Sequence, residues 1–158
     1  MRVHIGSDHA GFHLREHLLA HLRDVGHEVH DHGAEAYEAL DDYPPVCLRV
    51  GEAVVADRGS LGIVLGGSGN GEQMAANKVH GVRAALAWSV QTAVLSRQHN
   101  DANVVALGAR MHITEDATAV VDAFLAAAFS GDERHARRID MLASYESSGE
   151  LPPLPGAG

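Results

Sequence analysis

Leu61-Gly62-Ile63-Val64-Leu65-Gly66-Gly67-Ser68-Gly69-Asn70-Gly71-Glu72-Gln73 is the stretch that decides the fold of this chain. The apolar run 61–65, bounded by glycines, predicts a buried strand. The segment Gln73-Met74-Ala75-Ala76-Asn77-Lys78 predicts the start of a helix. A strand, a glycine loop and a helix in succession expose backbone N–H groups that can hold an anion. Glu72 stands within reach of that anion, so the junction points to proton chemistry beside a bound oxyanion or phosphate. The loop lacks the lysine and Ser/Thr ending of a P-loop. It follows a mid-chain strand without a suitably placed ribose-binding acid, so it does not fit the dinucleotide fingerprint. A tight turn with no ligand is the plainer alternative.

Outward from this junction the chain alternates strands and helices. Arg2-Val3-His4-Ile5-Gly6 predicts a first strand ending at Ser7-Asp8-His9-Ala10-Gly11. Leu14, Leu18, Leu22 and Val25 recur at helical spacing, and Gly26 supplies the stop. Glu28-Val29-His30-Asp31 predicts a short second strand, and 33–43 reads as acidic and irregular. Pro44-Pro45 leads into a helix over Val46–Ala56 with proline in its first turn. Arg83 to Trp88 predicts a fourth strand, with Ser89 capping a helix that runs to about Gln98. Asn103 to Leu107 predicts a fifth strand, closed by Gly108. Ala117, Val120, Val121, Phe124, Leu125 and Ala128 mark the stripe of the next helix, with Thr114 as its cap and Glu115 and Asp116 in its first turn. A last helix is expected from about Asp132, turning Ile139, Leu142 and Tyr145 inward.

This alternation predicts an α/β fold: a three-layer α/β/α Rossmann-like sandwich around a five-stranded parallel sheet. Residues 1–150 are expected to form one domain and 151–158 a flexible tail rich in proline and glycine. Ligands in such folds bind beyond the carboxyl ends of the strands. Asp8-His9, the glycine loop, Trp88-Ser89 and Gly108-Ala109-Arg110 all fall at those ends.

The chain of 158 residues is long enough for one proper core, and its 46% hydrophobic content suits an aliphatic α/β protein. A net charge of −9 argues against nucleic acid or an anionic membrane as the main partner. No run is long and apolar enough to predict a membrane span, and the first residues lack a basic-then-apolar signal pattern, so a cytoplasmic protein is expected. Cys47 is the one cysteine, which rules out an intrachain disulfide and reads as a small buried hydrophobe. Arg134-His135-Ala136-Arg137-Arg138 runs against the acidic balance. It suits a small anionic ligand, and equally a solvated helix face.

Assembled, these residues resemble a B-type ribose-5-phosphate isomerase. The matching stretches are Gly6 to Gly11, Gly66 to Gln73 with Ala75-Ala76-Asn77-Lys78, Arg83-Ala84-Ala85, His99-Asn100-Asp101-Ala102-Asn103, and Arg134 to Arg138, so the likeness covers about Met1 to Glu146. The resemblance implies a cofactor-free enzyme of the pentose phosphate pathway that interconverts ribose 5-phosphate and ribulose 5-phosphate. It also implies a homodimer or dimer of dimers whose active site is built from both subunits. By the same likeness Asp8 and His9 bind substrate, His99 opens the furanose ring with Asn100 beside it, and Arg110, Arg134 and Arg138 hold phosphate. Many members of the family place a cysteine base in the glycine loop. This chain has Ser68 there, and so resembles the subgroup whose base is a glutamate, here Glu72.

The chemistry fits that choice. Aldose–ketose isomerisation moves a proton between C2 and C1 through an enediol or enediolate, whose oxygen must be stabilised while a base works. The N–H groups of Gly69, Asn70 and Gly71 are natural donors, Gly67 is expected among the substrate-binding residues, and Ser68 adds a hydroxyl. Arg134 and Arg138 are spaced to share a helix face, and guanidinium groups suit phosphate. An imidazole such as that of His99 titrates near neutrality, as acid–base ring opening requires.

Three other readings compete. His13, His17 and His21 repeat along one helical face near His30-Asp31-His32, a pattern that can chelate zinc or nickel, although a solvated face with no metal is expected. A sensor would keep the pocket without turnover. An isomerase of a six-carbon sugar phosphate, such as allose or galactose 6-phosphate, would differ only in pocket length.

Overall fold

The computed structural model describes residues 1–154. Five parallel strands, β1 (Arg2–Ser7), β2 (Glu28–Asp31), β3 (Leu61–Gly66), β4 (Ala84–Leu86) and β5 (Val104–Gly108), form one sheet in the order β2-β1-β3-β5-β4. The helices are α1 (Phe12–Asp24), α2 (Tyr43–Ala56), α3 (Asn70–Ala76), α4 (Val90–Asn100), α5 (Thr114–Ala126) and α6 (Glu133–Ser148). A single 3-10 turn, His9–Gly11, joins β1 to α1.

Side chains alternate across the strands and build two cores. Val3, Ile5, Ile63, Leu65, Val105 and Leu107 face the layer formed by Leu14, Leu18 and Leu22 of α1 and Val120, Val121 and Phe124 of α5. Val64, Val104 and Ala106 face the opposite layer, where Val46, Cys47, Val50 and Val54 of α2 meet Ala75 and Ala76 of α3. The predicted three-layer α/β sandwich is therefore the observed architecture. From β1 the chain crosses outward to β2 and then returns to β3 on the other side of β1. This reversal makes the crevice beyond β1 and β3 a topological switch point, the usual ligand position in such sheets.

Several local expectations change. Helix α3 begins at Asn70, three residues before the expected start, so Glu72 lies inside its first turn. The fourth strand shortens to Ala84–Leu86 at the sheet edge. Ser89 does cap α4, in a reciprocal box with Thr92. Thr114 does not cap α5: Ile113 holds the cap position without a side-chain bond, and the Thr114 carbonyl accepts from the Thr118 hydroxyl. Ala128 lies beyond that helix and is exposed, so it is not part of its stripe.

Helix α6 departs most. Ile139 is half-buried, but Leu142 and Tyr145 are 61% and 48% exposed, and His135 is the buried residue of the helix. The sheet faces are already covered by α1, α4, α5, α2 and α3, which leaves no core for this apolar stripe to enter. The histidine face of α1 is not simply solvated either. His17 meets the Thr118 hydroxyl at 3.1 Å and His21 meets Asp122 at 2.9 Å, tying α1 to α5. Among the described residues no group of three or more His, Cys, Asp or Glu is arranged to hold a metal ion. Residues 151–154 are exposed and form no helix or strand, and the rest of the expected tail lies outside the described residues.

Candidate active site

Glu72 lies at the switch point, just beyond the end of β3. It is 4% exposed, and its side chain folds back over Gly66, where a Cβ would collide with the carboxylate. Burial raises its pKa above the ordinary carboxylate range. Its own N–H and that of Gly69 oppose the rise, while the charge of nearby Asp8 adds to it. The loop reaches this shape because Gly69, at the cap position of α3, adopts φ +83°, a conformation that side chains disfavour. Ser68 and Asn70 are exposed above Glu72, and the Ser68 hydroxyl accepts from Asn70 Nδ2 at 3.2 Å.

The neighbouring strand ends close around this carboxylate. Asp8 is buried and accepts from the N–H groups of Ala10 and Gly11, which fixes the turn after β1. After β5, Ala109 N–H donates to the Gly66 carbonyl at 2.7 Å and Arg110 N–H to that of Gly67 at 3.1 Å. These bonds bring the Arg110 guanidinium alongside Gly67, opposite Ala10. Asp8, His9, the glycine loop with Glu72, and Arg110 are thus gathered in one place, as the strand-end argument expects.

His99, Asn100, Arg134 and Arg138 are not part of that gathering. Helix α4 runs back against the strands, so its last turn lies at their starting edge, where Arg83 Nε donates to the Asn100 carbonyl at 3.0 Å. The length of β3 separates the two edges by on the order of 15 Å. His99 packs against His135 of α6 with ring centroids 4.3 Å apart. Burial lowers the pKa of His135, and His99 adds to that effect. Arg134 and Arg138, both exposed, extend from the same helix. Arg138 and Asn100 border a cavity of about 580 Å³ that runs along β4 between α3 and α6, with Leu86, Ile139 and Leu142 among its walls.

Two site residues escaped the sequence reading. The Asp41 carboxylate accepts from the His9 backbone N–H at 2.7 Å and lies 3.0 Å from His9 Nδ1. Tyr43 packs its ring on Gly71. Both lie at the end of the segment read as irregular; the proline-led helix start marks the place, but nothing in the spacing links Asp41 to His9. Cys47 is fully buried, and burial pushes its thiol up to about 12, helped by the charges of Glu72 and Asp8. It lies close to the crevice yet carries no thiolate at neutral pH.

Comparison with known proteins identifies the family and the fold. The model of the Ribose/Galactose Isomerase family matches residues 3–142. Ribose-5-phosphate isomerase B of Mycobacterium tuberculosis H37Rv is 57% identical over 157 residues, covering 99% of this chain and 97% of that protein. The crystal structure of ribose-5-phosphate isomerase B from Mycoplasma genitalium, with bound ribulose-5-phosphate, superposes with a TM-score of 0.89 at 42% identity, covering 93% of this chain and 97% of that one. The type B enzyme of Trypanosoma cruzi superposes at 0.88 with 41% identity, covering 94% and 99%. With the family model matched over residues 3–142 and a relative 57% identical over nearly its whole length, the chain belongs to the ribose/galactose isomerase family.

Proposed function

We propose that this chain interconverts D-ribose 5-phosphate and D-ribulose 5-phosphate, with Glu72 carrying the proton between C2 and C1. The observation that carries the reading is the buried Glu72 carboxylate, its pKa raised, held over Gly66 at the switch point of this family's fold. A carboxylate of raised pKa is a better base than a solvated one. Glu72 removes the proton from C2 of the open-chain aldose, the electrons move toward O1, and an enediolate forms. The O2 proton passes to O1, Glu72 returns its proton to C1, and the ketose results.

The loop supports the charge on oxygen. Gly69 N–H tempers the Glu72 carboxylate, which leaves the Gly71 N–H and the Ser68 hydroxyl as donors to the enediolate, with the Asn70 N–H able to join them by giving up its 3.4 Å bond to Ser68 Oγ. Gly67 admits the sugar beside Arg110. Asp8 and His9 bind substrate hydroxyl or phosphate oxygens, and His99, with Asn100, opens the ring. Arg110, Arg134 and Arg138 hold the phosphate, whose binding orients the reacting end.

One chain cannot bring these groups together, because His99, Asn100, Arg134 and Arg138 lie at the opposite edge of its sheet from Glu72. A homodimer in which each subunit supplies one edge to the other's crevice resolves this. The exposed Leu142 and Tyr145 of α6 support such an assembly, since a partner would cover them. A dimer of dimers extends the same logic. A cytoplasmic location fits a sugar-phosphate enzyme with no helix long and apolar enough to cross a membrane among the described residues.

The comparisons favour neither a six-carbon substrate nor a non-catalytic sensor. Turnover of ribose 5-phosphate by purified, EDTA-treated protein, with allose and galactose 6-phosphates alongside, tests the reading. Preferred five-carbon turnover, with exchange of the C2 hydrogen into solvent, is expected. Binding with neither turnover nor exchange would overturn it.

A further inference from the structure

The segment between β2 and α2 is held at several points that the isomerase reading leaves unused. Arg15 of α1 is fully buried and donates from Nη2 to the Ala34 carbonyl at 2.6 Å, with Asp31 3.5 Å from its Nε. Its guanidinium fills the space beside Gly33, so the start of the segment has one position. At the other end Tyr43 rests on Gly71 of the catalytic loop. Asp41 lies between these anchors and makes two contacts with one residue, His9.

The contact at Nδ1 fixes one proton of the imidazole. A carboxylate can only accept, so at 3.0 Å from Asp41 Oδ1 the His9 Nδ1 carries the proton. The same oxygen takes the His9 backbone N–H at 2.7 Å, which fixes the turn relative to the ring. Nε2 is then the nitrogen left for a ligand. We propose that Asp41 is a positioning residue for this isomerase: it holds the His9 Nδ1–H and the ring in place, so that the protonated ring presents Nε2–H to the anionic substrate. This rests on the reading of His9 as a substrate-binding residue.

The electrostatics agree in direction. The hydrogen bond from Asp41 raises the pKa of His9 against the opposing effect of burial, and Asp8, with its carboxylate 4.0 Å from Nδ1, adds to the rise. Asp8 from the same turn and Asp41 from the facing segment are the two charged groups responsible. Both favour the imidazolium, which donates from Nε2 to an anion. Affinity carried by that cation is complete below the His9 pKa and fades as pH rises through it. Removing the Asp41 charge lowers this pKa, so the fading begins at lower pH.

The test uses the full-length enzyme, ribose 5-phosphate as probe, and Asp41→Asn, His9→Ala and their double variant. Asp41→Asn is expected to raise KM on the order of tenfold with little change in kcat. Its alkaline decline in kcat/KM should move to lower pH, and the substitution should add nothing further in the His9→Ala background. A KM and pH profile equal to wild type would overturn the proposal. So would a KM raised equally at every pH and additively with His9→Ala, the sign of a loop that merely loosened. Wild-type KM in His9→Ala alone would instead remove His9 from substrate binding, and this role of Asp41 with it. Should Asp41→Asn fold poorly, Asp41→Glu keeps the charge: a wild-type alkaline limb in that variant supports the proposal and a shifted one overturns it.

Discussion

The Glu72 carboxylate occupies the space beside Gly66 that a side chain at that position would need. The last residue of β3 therefore decides where the proposed base sits, although it has no chemistry of its own. Gly66→Ala should leave the fold intact, since the displaced group is the end of a flexible side chain, at a cost of about 1 kcal/mol. It should nonetheless lower kcat by at least about a hundredfold, because the base moves. Thermal unfolding and steady-state kinetics on the same preparation read both effects.

Glu72→Gln should cut turnover at least about a hundredfold while substrate binding changes little, as expected for loss of a general base. Its stability should change in the opposite sense. The folded-state pKa of Glu72 is raised, so its favourable contribution is complete below the unfolded pKa and is lost as pH rises through the folded one. At neutral pH the buried carboxylate is a liability, and glutamine removes it. The variant should melt at or above the wild-type temperature at pH 7, with the gap closing toward pH 4. Calorimetry across that range checks the sign; a less stable variant at pH 7 would contradict the burial argument.

The two groups of proposed site residues at opposite sheet edges make a complementation experiment decisive for the proposed shared active site. Glu72→Gln and the double variant Arg134→Ala/Arg138→Ala each damage one half. Unfolding and refolding them together should produce mixed dimers with one intact site and one doubly damaged site. Random pairing gives about a quarter of wild-type activity per subunit. Activity no higher than that of the unmixed variants would mean each chain works alone.

Cys47 should prove silent. With its thiol pushed up to about 12, it has no thiolate to alkylate near neutrality. Iodoacetamide should leave the native enzyme active, and Cys47→Ala should keep its kcat at a stability cost of about 1 kcal/mol. Inactivation by the reagent at neutral pH would show that the pocket opens.

A solution test of α6 follows from its exposed stripe. Leu142→Asp should weaken the proposed dimer and lower activity together, because Leu142 is 61% exposed and has no core to leave. Sedimentation against protein concentration, with activity measured at the same concentrations, checks that the two losses coincide.

The alternating strands and helices, the glycine loop and the clustering of Asp8, His9, Glu72 and Arg110 were legible because each is local. Apolar period, glycine position and capping residues act within a few residues, and a parallel sheet sends every strand end to one edge. The Ser89 cap and the carboxylate beside the loop were readable on the same ground. Other features depend on what packs where. Leu142 and Tyr145 have a helical apolar period whether the surface that covers them is this chain's core or a second chain, so periodicity alone turned them inward wrongly. The histidines of α1 read as solvated until α5 supplied Thr118 and Asp122. Asp41 and His9 are distant in sequence and meet only because the buried Arg15 and the Tyr43–Gly71 contact fix the segment between β2 and α2. By itself the sequence determined the order of elements and the chemistry of the loop, since both follow from short-range preferences. The tertiary structure alone decided that His99 and the arginines of α6 stand a strand's length from Glu72, because α4 and α5 return antiparallel to the strands they follow and α6 starts where α5 ends.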